Sequence, residues 1–187
     1  ELDNNRIYYI QSNTFEDLRN LVSLTLSNNQ IESIESNSFI DLRSLTNLDL
    51  SINYLTYLNE TLFARTFNLK YLNLSSNKLE YLSKTELAQL RNLISLDISD
   101  NYLKIIEDFA FEQLVSLRNL FFNLNFDLIL KNQTLNGLIS IENIHISQIL
   151  FSVNRSNIIN ILVYSLHPKI IRNIMNIKFY SSIYFIY

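Results

Sequence analysis

The chain of 187 residues contains no cysteine and no tryptophan, one glycine (Gly137) and one proline (Pro168). Without cysteine there is no disulfide, no thiolate nucleophile and no thiolate metal site. A single glycine excludes the glycine-rich loops that cradle phosphate. One glycine and one proline together leave no material for a flexible or proline-rich linker, so no second domain is expected. A net charge of −3 gives no basic footprint, and nucleic acid is not expected as a partner. There are two histidines. His145 occupies an exposed strand position between Ile144 and Ile146, His167 precedes Pro168, and both read as ordinary surface residues. The acidic neighbours Glu16 and Asp17, and Glu107 and Asp108, read as solvated turn residues. No constellation for catalysis, a metal or a cofactor is visible, so no enzyme activity is expected. In the C-terminal tail the longest uncharged run, 156–166, falls short of the roughly 20 apolar residues a membrane-spanning helix needs.

What the chain does have is a period. Leu21, Leu45, Leu69, Leu93 and Leu117 stand 24 residues apart. Counting from each of them, apolar residues recur at offsets 0, 3, 5, 10, 13, 18 and 21 and asparagine at offset 8, and over five units only Thr66 and Asp127 depart from that template. Such self-similarity is the signature of a stacked-repeat architecture. Apolar residues at offsets 3 and 5, separated by polar ones, have the period-2 pattern of a half-buried strand, which predicts strands at 23–26, 47–50, 71–74, 95–98 and 119–122. One strand cannot bury its apolar face alone. Identical units stacked side by side form a parallel sheet whose inward leucines make a continuous core, so the chain is expected to coil as a solenoid.

The polar slot is filled by Asn5, Asn29, Asn53, Asn77, Asn101 and Asn125. This slot lies where the chain turns away from the sheet, and an amide there both donates to and accepts from backbone groups the turn would otherwise bury unpaired. These residues are expected to stack as a ladder. Phe39, Phe63, Leu87, Phe111 and Leu135 at offset 18 are expected to close the core from the opposite, convex side.

The strings LVSLTLSNNQIESI, LTNLDLSINYLTYL, LKYLNLSSNKLEYL and LISLDISDNYLKII, followed by halves such as ESNSFIDL and EDFAFEQL, resemble the leucine-rich repeat family in its extracellular, 24-residue form. That is the form of Toll-like receptors, Slit-like guidance proteins and secreted leucine-rich glycoproteins. The resemblance implies an α/β-type solenoid, a curved horseshoe segment with a parallel sheet on the concave side and short helical or irregular turns on the convex side. One habit of the family is missing: the proline that often follows offset 13 is replaced by Gln11, Glu35, Asn59, Ser83 and Glu107.

The first twenty residues are in phase with the period but begin mid-unit, and no signal peptide or terminal cap is visible, so the chain is expected to be a piece of a longer protein or a truncated gene product. A sixth unit opens with Ile141, Ile144 and Ile146, yet Ile149 stands in its asparagine slot. In the fifth unit Asp127 takes an apolar slot, so Asp127→Leu is expected to stabilise the array. The division expected is an array over 1–150 and an irregular apolar tail over 151–187. The tail has no Asp or Glu, and its charges are Arg155, Lys169, Arg172 and Lys178. It reads as a cap over the last repeat or as aberrant translation of AT-rich sequence. N-x-S/T sequons make Asn59, Asn73, Asn132 and Asn154 candidate N-glycosylation acceptors.

Alternation directs Thr25, Asp49, Tyr71, Asn73, Asp97, Asn119 and Phe121 out of the concave face, a polar and mildly acidic surface that is the expected partner-binding site. Tyr71 and Phe121, two strand spacings or about 10 Å apart, are its aromatic anchors. A glycan on Asn73 would instead push a partner toward a lateral edge. The function expected is non-catalytic protein recognition, as part of a secreted or cell-surface receptor or adhesion ectodomain that binds a protein ligand or receptor. The alternatives are a cytoplasmic scaffold, favoured by the missing cysteines, and a truncated product with no function of its own. No membrane span is expected in this chain, and its oligomeric state is open.

Overall fold

The computed structural model describes residues 1–131, 133–147 and 177–180. The expectations for Asn132, Ile149, Asn154 and His167, and for the tail apart from 177–180, lie outside those residues. The strands are β1 (Tyr9–Ile10), β2 (Ser23–Thr25), β3 (Ser33–Ile34), β4 (Asn47–Asp49), β5 (Tyr71–Asn73), β6 (Tyr81–Leu82), β7 (Ser95–Asp97), β8 (Ile105–Ile106), β9 (Asn119–Phe121), β10 (Asn143–Ser147) and β11 (Ile177–Tyr180). Seven form one parallel sheet in the order β11-β10-β9-β7-β5-β4-β2, while β1 pairs with β3 and β6 with β8 on the flank where each coil leaves that sheet.

The three-residue strands of the main sheet, from β2 to β9, bury their middle residue, and β10 buries Ile144. Leu24, Leu48, Leu72, Leu96, Leu120 and Ile144 lie in register and point into a single core, with the leucines and isoleucines of offsets 0, 5, 10 and 13 packed behind them. Phe39, Phe63, Leu87, Phe111 and Leu135 are fully buried from the convex side. Thr66, one of the two departures from the template, is also fully buried, and its hydroxyl donates to the Phe63 carbonyl at 3.2 Å. The hydroxyl is thereby satisfied, which removes most of the cost of placing it in an apolar slot.

Among the described residues the convex segments are chains of turns, and no helix forms. The irregular alternative is the one realised, so the α of the expected α/β class is not present there. The hydrogen bonds show why: over 35–42 the Ser38, Ile40 and Leu42 amides each reach back three residues, to Glu35, Asn37 and Phe39. Asn37 interrupts with φ 65°, which no helix accommodates. Gly137, at φ 93°, packs so close to the backbone of Glu112 that an added Cβ would come within 2.2 Å of the Glu112 Cα.

Five asparagines knit adjacent coils together. The Oδ1 atoms of Asn29, Asn53, Asn77, Asn101 and Asn125 accept the amide N–H of Ile7, Ile31, Leu55, Leu79 and Leu103 at 2.9 to 3.1 Å. Their Nδ2 groups are shared between carbonyls of their own coil and one of the coil before; Asn77, for example, donates to Leu74 at 3.1 Å and to Leu50 at 3.0 Å. Asn5 differs. It is exposed and donates within its own turn, to Leu2 and Asp3.

The fifth coil departs from the template. Asp127 is exposed and Leu128, one residue later, fills the apolar slot at 2% exposure. The Leu128 amide turns back to the Asn125 carbonyl at 3.2 Å. This corrects the sequence expectation: no carboxylate sits in the core, and Asp127→Leu has no buried charge to relieve.

A second periodic feature escaped the apolar template. Asn4, Asn28, Ile52, Ser76, Asp100 and Leu124, one residue before each ladder asparagine, are all left-handed, with φ from 51° to 58°. The amides of the first five bond the next coil, as Ile52 does to Ser75 at 2.9 Å. Side chains able to do so bond along the row: Asn28 donates to Asn4 at 2.6 Å and Ser76 to Asp100 at 2.8 Å. Ile52 is β-branched and 53% exposed, so it carries the strain of this region with neither side-chain burial nor a side-chain hydrogen bond to offset it.

Two stability measurements test this account. Asn77→Leu strands the Leu55 N–H in the core and removes one of the two asparagine donors from each of the Leu50 and Leu74 carbonyls, which keep Asn53 and Asn101; it should cost roughly 1 to 3 kcal/mol in denaturant titrations, well above Asn73→Ala on the open face, and equal losses would contradict the ladder. Ile52→Asn should raise stability by about 1 kcal/mol by relieving the left-handed strain, and an unchanged or lowered denaturation midpoint would show that the turn is unstrained.

Candidate functional site

Parallel register lays the outward residues of the main sheet in two rows. One runs Ser23, Asn47, Tyr71, Ser95, Asn119, Asn143 and the other Thr25, Asp49, Asn73, Asp97, Phe121, His145. The structure thus places Thr25, Asp49, Tyr71, Asn73, Asp97, Asn119 and Phe121 on one surface. Between Ser23 and Phe121 this surface holds an open hollow of about 440 Å³, with Tyr71, Asn73, Asp49 and Asp97 around its middle.

Three of the seven residues are tied into the turn that follows their strand. Asp49, Asn73 and Asp97 each accept, through Oδ1, the amide N–H two residues on, from Ser51, Ser75 and Ser99 at 2.9, 3.0 and 2.9 Å. Asn73 also accepts the Ser75 hydroxyl at 2.8 Å. Asn119 accepts an N–H from Asn143 at 2.8 Å, and the Thr25 hydroxyl lies 3.4 Å from that of Ser27. These bonds fix the polar side chains before any partner arrives, lowering the entropic cost of binding. Tyr71 is the open member of the set, at 46% exposure.

Phe121 is not a free anchor. His145 stacks on it, ring centroids 4.1 Å apart and planes inclined by 15°, and Phe121 is half-buried as a result. His145 is therefore part of this face, not an isolated surface histidine. Its signal was present in the period: it lies at offset 4 of the sixth unit, as Phe121 does of the fifth. Of the sequons within the described residues, Asn73 lies half-buried on the concave face, and Asn59 lies on the convex side, accepting both the amide and the hydroxyl of Thr61.

The flank carries a run of exposed apolar side chains. Tyr54, Tyr57, Tyr81, Tyr102, Phe126 and Ile129 range from 43% to 63% exposed. Lys78 Nζ sits 4.1 Å from the centre of the Tyr54 ring. Two hydrogen bonds recur here between coils: Tyr9 donates to Glu35 and Tyr81 to Glu107, and the same carboxylates accept the amides of Ser12 at 2.7 Å and Lys84 at 3.1 Å. The bond to Glu107, helped by burial, pushes the Tyr81 phenol up to about 12. Glu107 is held below the usual carboxylate range by the Tyr81 hydroxyl first and the Lys84 amide second. Glu107 is accordingly a latch between coils, where a solvated turn residue was expected.

Among the described residues no group of three or more His, Asp or Glu side chains is placed to hold a metal, and no helix is long and apolar enough to cross a membrane. A leucine-rich repeat profile matches residues 1–55, 43–103 and 68–129. No curated protein matches the chain. Among solved structures, the chain is similar to one in the Toll–Spatzle complex of Drosophila, in its glycosylated form, with 24% identity and a TM-score of 0.59 over 71% of this chain and 23% of the other. It is also similar to one in the TLR13–ssRNA13 complex, with 27% identity and a TM-score of 0.57 over 80% of this chain and 25% of the other. The chain thus spans about a quarter of the length of either.

The latch gives a pH signature. Tyr81's raised value means its contribution is whole below a pH of 10.0, the ordinary phenol value, and is lost as pH climbs through about 12. Glu107's lowered value means its contribution is whole above the ordinary 4.5 and is lost as pH falls below it. Tyr81→Phe should flatten the fall in melting temperature at both extremes, and parallel pH profiles for the two proteins would contradict the latch.

Proposed function

The chain belongs to the leucine-rich repeat family, and from that premise we propose that its concave sheet face is a non-catalytic surface for recognising a protein partner. The observation that carries this is the rigid polar hollow, whose aspartates and asparagine are already hydrogen-bonded in place around the open Tyr71. Recognition by such a face depends on a few aromatic anchors ringed by fixed polar groups. Tyr71 and the stacked Phe121 and His145 fill that role here.

The wider setting we propose is an ectodomain segment of a secreted or cell-surface receptor or adhesion protein. The 24-residue repeat form supports it, as does the likeness to a Toll chain in complex with Spatzle. Glycosylation at Asn59, on the convex side, fits that setting without obstructing the concave face. A cytoplasmic scaffold, which the lack of cysteine favours, is the second reading. Residues 1–150 form the recognition array in this proposal and 151–187 a tail that closes its end, supported by the parallel pairing of β11 with β10. One solved relative is in complex with single-stranded RNA. For this chain a protein is favoured over a polyanion, because the two rows across β2 to β9 carry Asp49 and Asp97 and no lysine or arginine.

In a binding assay with a partner captured on the full chain, Tyr71→Ala and Phe121→Ala should each weaken affinity by about 2 kcal/mol, the cost of truncating a central aromatic anchor. Unchanged affinity in both variants would transfer the site to the flank of Tyr54 and Tyr102. Tight binding of a single-stranded RNA to the same face would replace the protein reading with a nucleic-acid one.

A further inference from the structure

Resting on the reading of the concave face as a protein-recognition surface, we propose that the partner segment it takes is basic: an arginine, flanked by apolar side chains, seats its guanidinium in the hollow between Asp49 and Asp97.

The register fixes the arrangement. Asp49, Asn73 and Asp97 lie side by side on β4, β5 and β7, so the two carboxylates are two strand spacings, about 10 Å, apart along the sheet. Each uses Oδ1 to accept a serine amide two residues on, which aims the side chain without neutralising it. Neither takes part in any of the ion pairs of the described residues. The basic residues nearest by register, Lys70 and Arg118, precede β5 and β9 and line a separate hollow on the lateral edge with Asn68 and Asn92. Arg118 is paired there with Glu142 at 3.4 Å. The concave hollow is therefore anionic, and among the described residues no basic side chain forms an ion pair with its aspartates.

Geometry selects the kind of cation. A metal ion draws its ligands to within about 2.0 to 2.6 Å, so carboxylates this far apart cannot share one. A planar guanidinium with an N–H···O bond of about 2.9 Å on either side spans a gap of this order, and its fork presents donors in both directions. An ammonium is a compact point and reaches one carboxylate at a time. Tyr71, on the strand between the two aspartates and the most exposed aromatic of this face, adds a ring against which a guanidinium stacks favourably. The apolar neighbours of the arginine would then rest on Tyr71 on one side and on the Phe121–His145 stack on the other.

The probes are two synthetic peptides, acetyl-Phe-Arg-Phe-amide and its citrulline counterpart, which keeps the shape and removes the charge. They are titrated into the full 187-residue chain while the amide resonances of Ser51, Ser99 and Tyr71 are followed. The arginine peptide should shift those resonances and bind roughly tenfold tighter than the citrulline peptide, the scale of one charge-assisted contact. The double variant Asp49→Asn and Asp97→Asn retains the oxygen that accepts each serine amide, so its melting temperature should hold while the tenfold preference disappears. Equal affinity of the two peptides, no shift with either, or a preference that survives in the double variant would each overturn the proposal. If both peptides bind equally at Tyr71, the basic anchor fails and the concave-face reading stands. If both shift only Tyr54 and Tyr102 on the flank, the concave-face reading fails with it.

Discussion

One side-chain amide per coil carries the architecture. An asparagine at offset 8 accepts a backbone N–H from the preceding coil with its oxygen and gives its N–H groups to carbonyls of both coils, an exchange that needs a donor and an acceptor on one short side chain. Aspartate would supply only acceptors, and leucine neither. The chain must leave the sheet at a point where its backbone is buried, and a buried unpaired N–H or carbonyl is costly. The leucines supply the core that drives stacking, but the amide decides where each coil turns and which residue of the next coil lies beside it. In the fifth coil, where the apolar slot falls on Asp127, the chain slips by a residue and Leu128 takes that slot.

That constraint also shapes the surface. Because each turn is pinned at the same offset, the outward residues fall into straight rows, and a residue's neighbours are those 24 positions before and after it. Asp49, Asn73 and Asp97 hold the amides at the mouth of the turn and so stand in fixed orientation. A surface built this way is recognised as it stands, with little ordering left for a partner to impose. The aromatic flank belongs to the same scheme, since Tyr81 latches one coil to the next through Glu107 while leaving much of its ring in solvent.

The parts of the structure legible in the sequence are those whose chemistry admits few residue types. Buried strand centres demand aliphatic side chains and the turn demands an amide, so Leu48 or Asn77 could be placed from spacing alone. Positions selected by backbone conformation were harder to see. The left-handed site before each ladder asparagine tolerates asparagine, serine, aspartate, leucine and isoleucine, so no single letter repeats and Ile52 gives no warning. The slip at Leu128 was hidden because a fixed offset cannot show that the next residue takes the slot. On the convex side helical and irregular turns were both expected, and spacing could not choose between them because alternate i→i+3 bonds and left-handed residues leave no visible apolar period. On the concave face, the positions of the outward residues followed from alternation, whereas the seating of His145 on Phe121 and the turn contacts of the aspartates depend on side-chain rotamers that spacing does not specify.

Amide hydrogen exchange on the intact chain measures the ladder most directly. The N–H groups of Ile31, Leu55, Leu79 and Leu103 have no backbone acceptor in their turns and owe their hydrogen bonds to the asparagine of the following coil. They should exchange as slowly as the strand-centre amides of the main sheet, opening only when neighbouring coils separate. Exchange of these four at the rate of the exposed turn amides would show that the asparagines do not hold the coils, and the account would fail at its base.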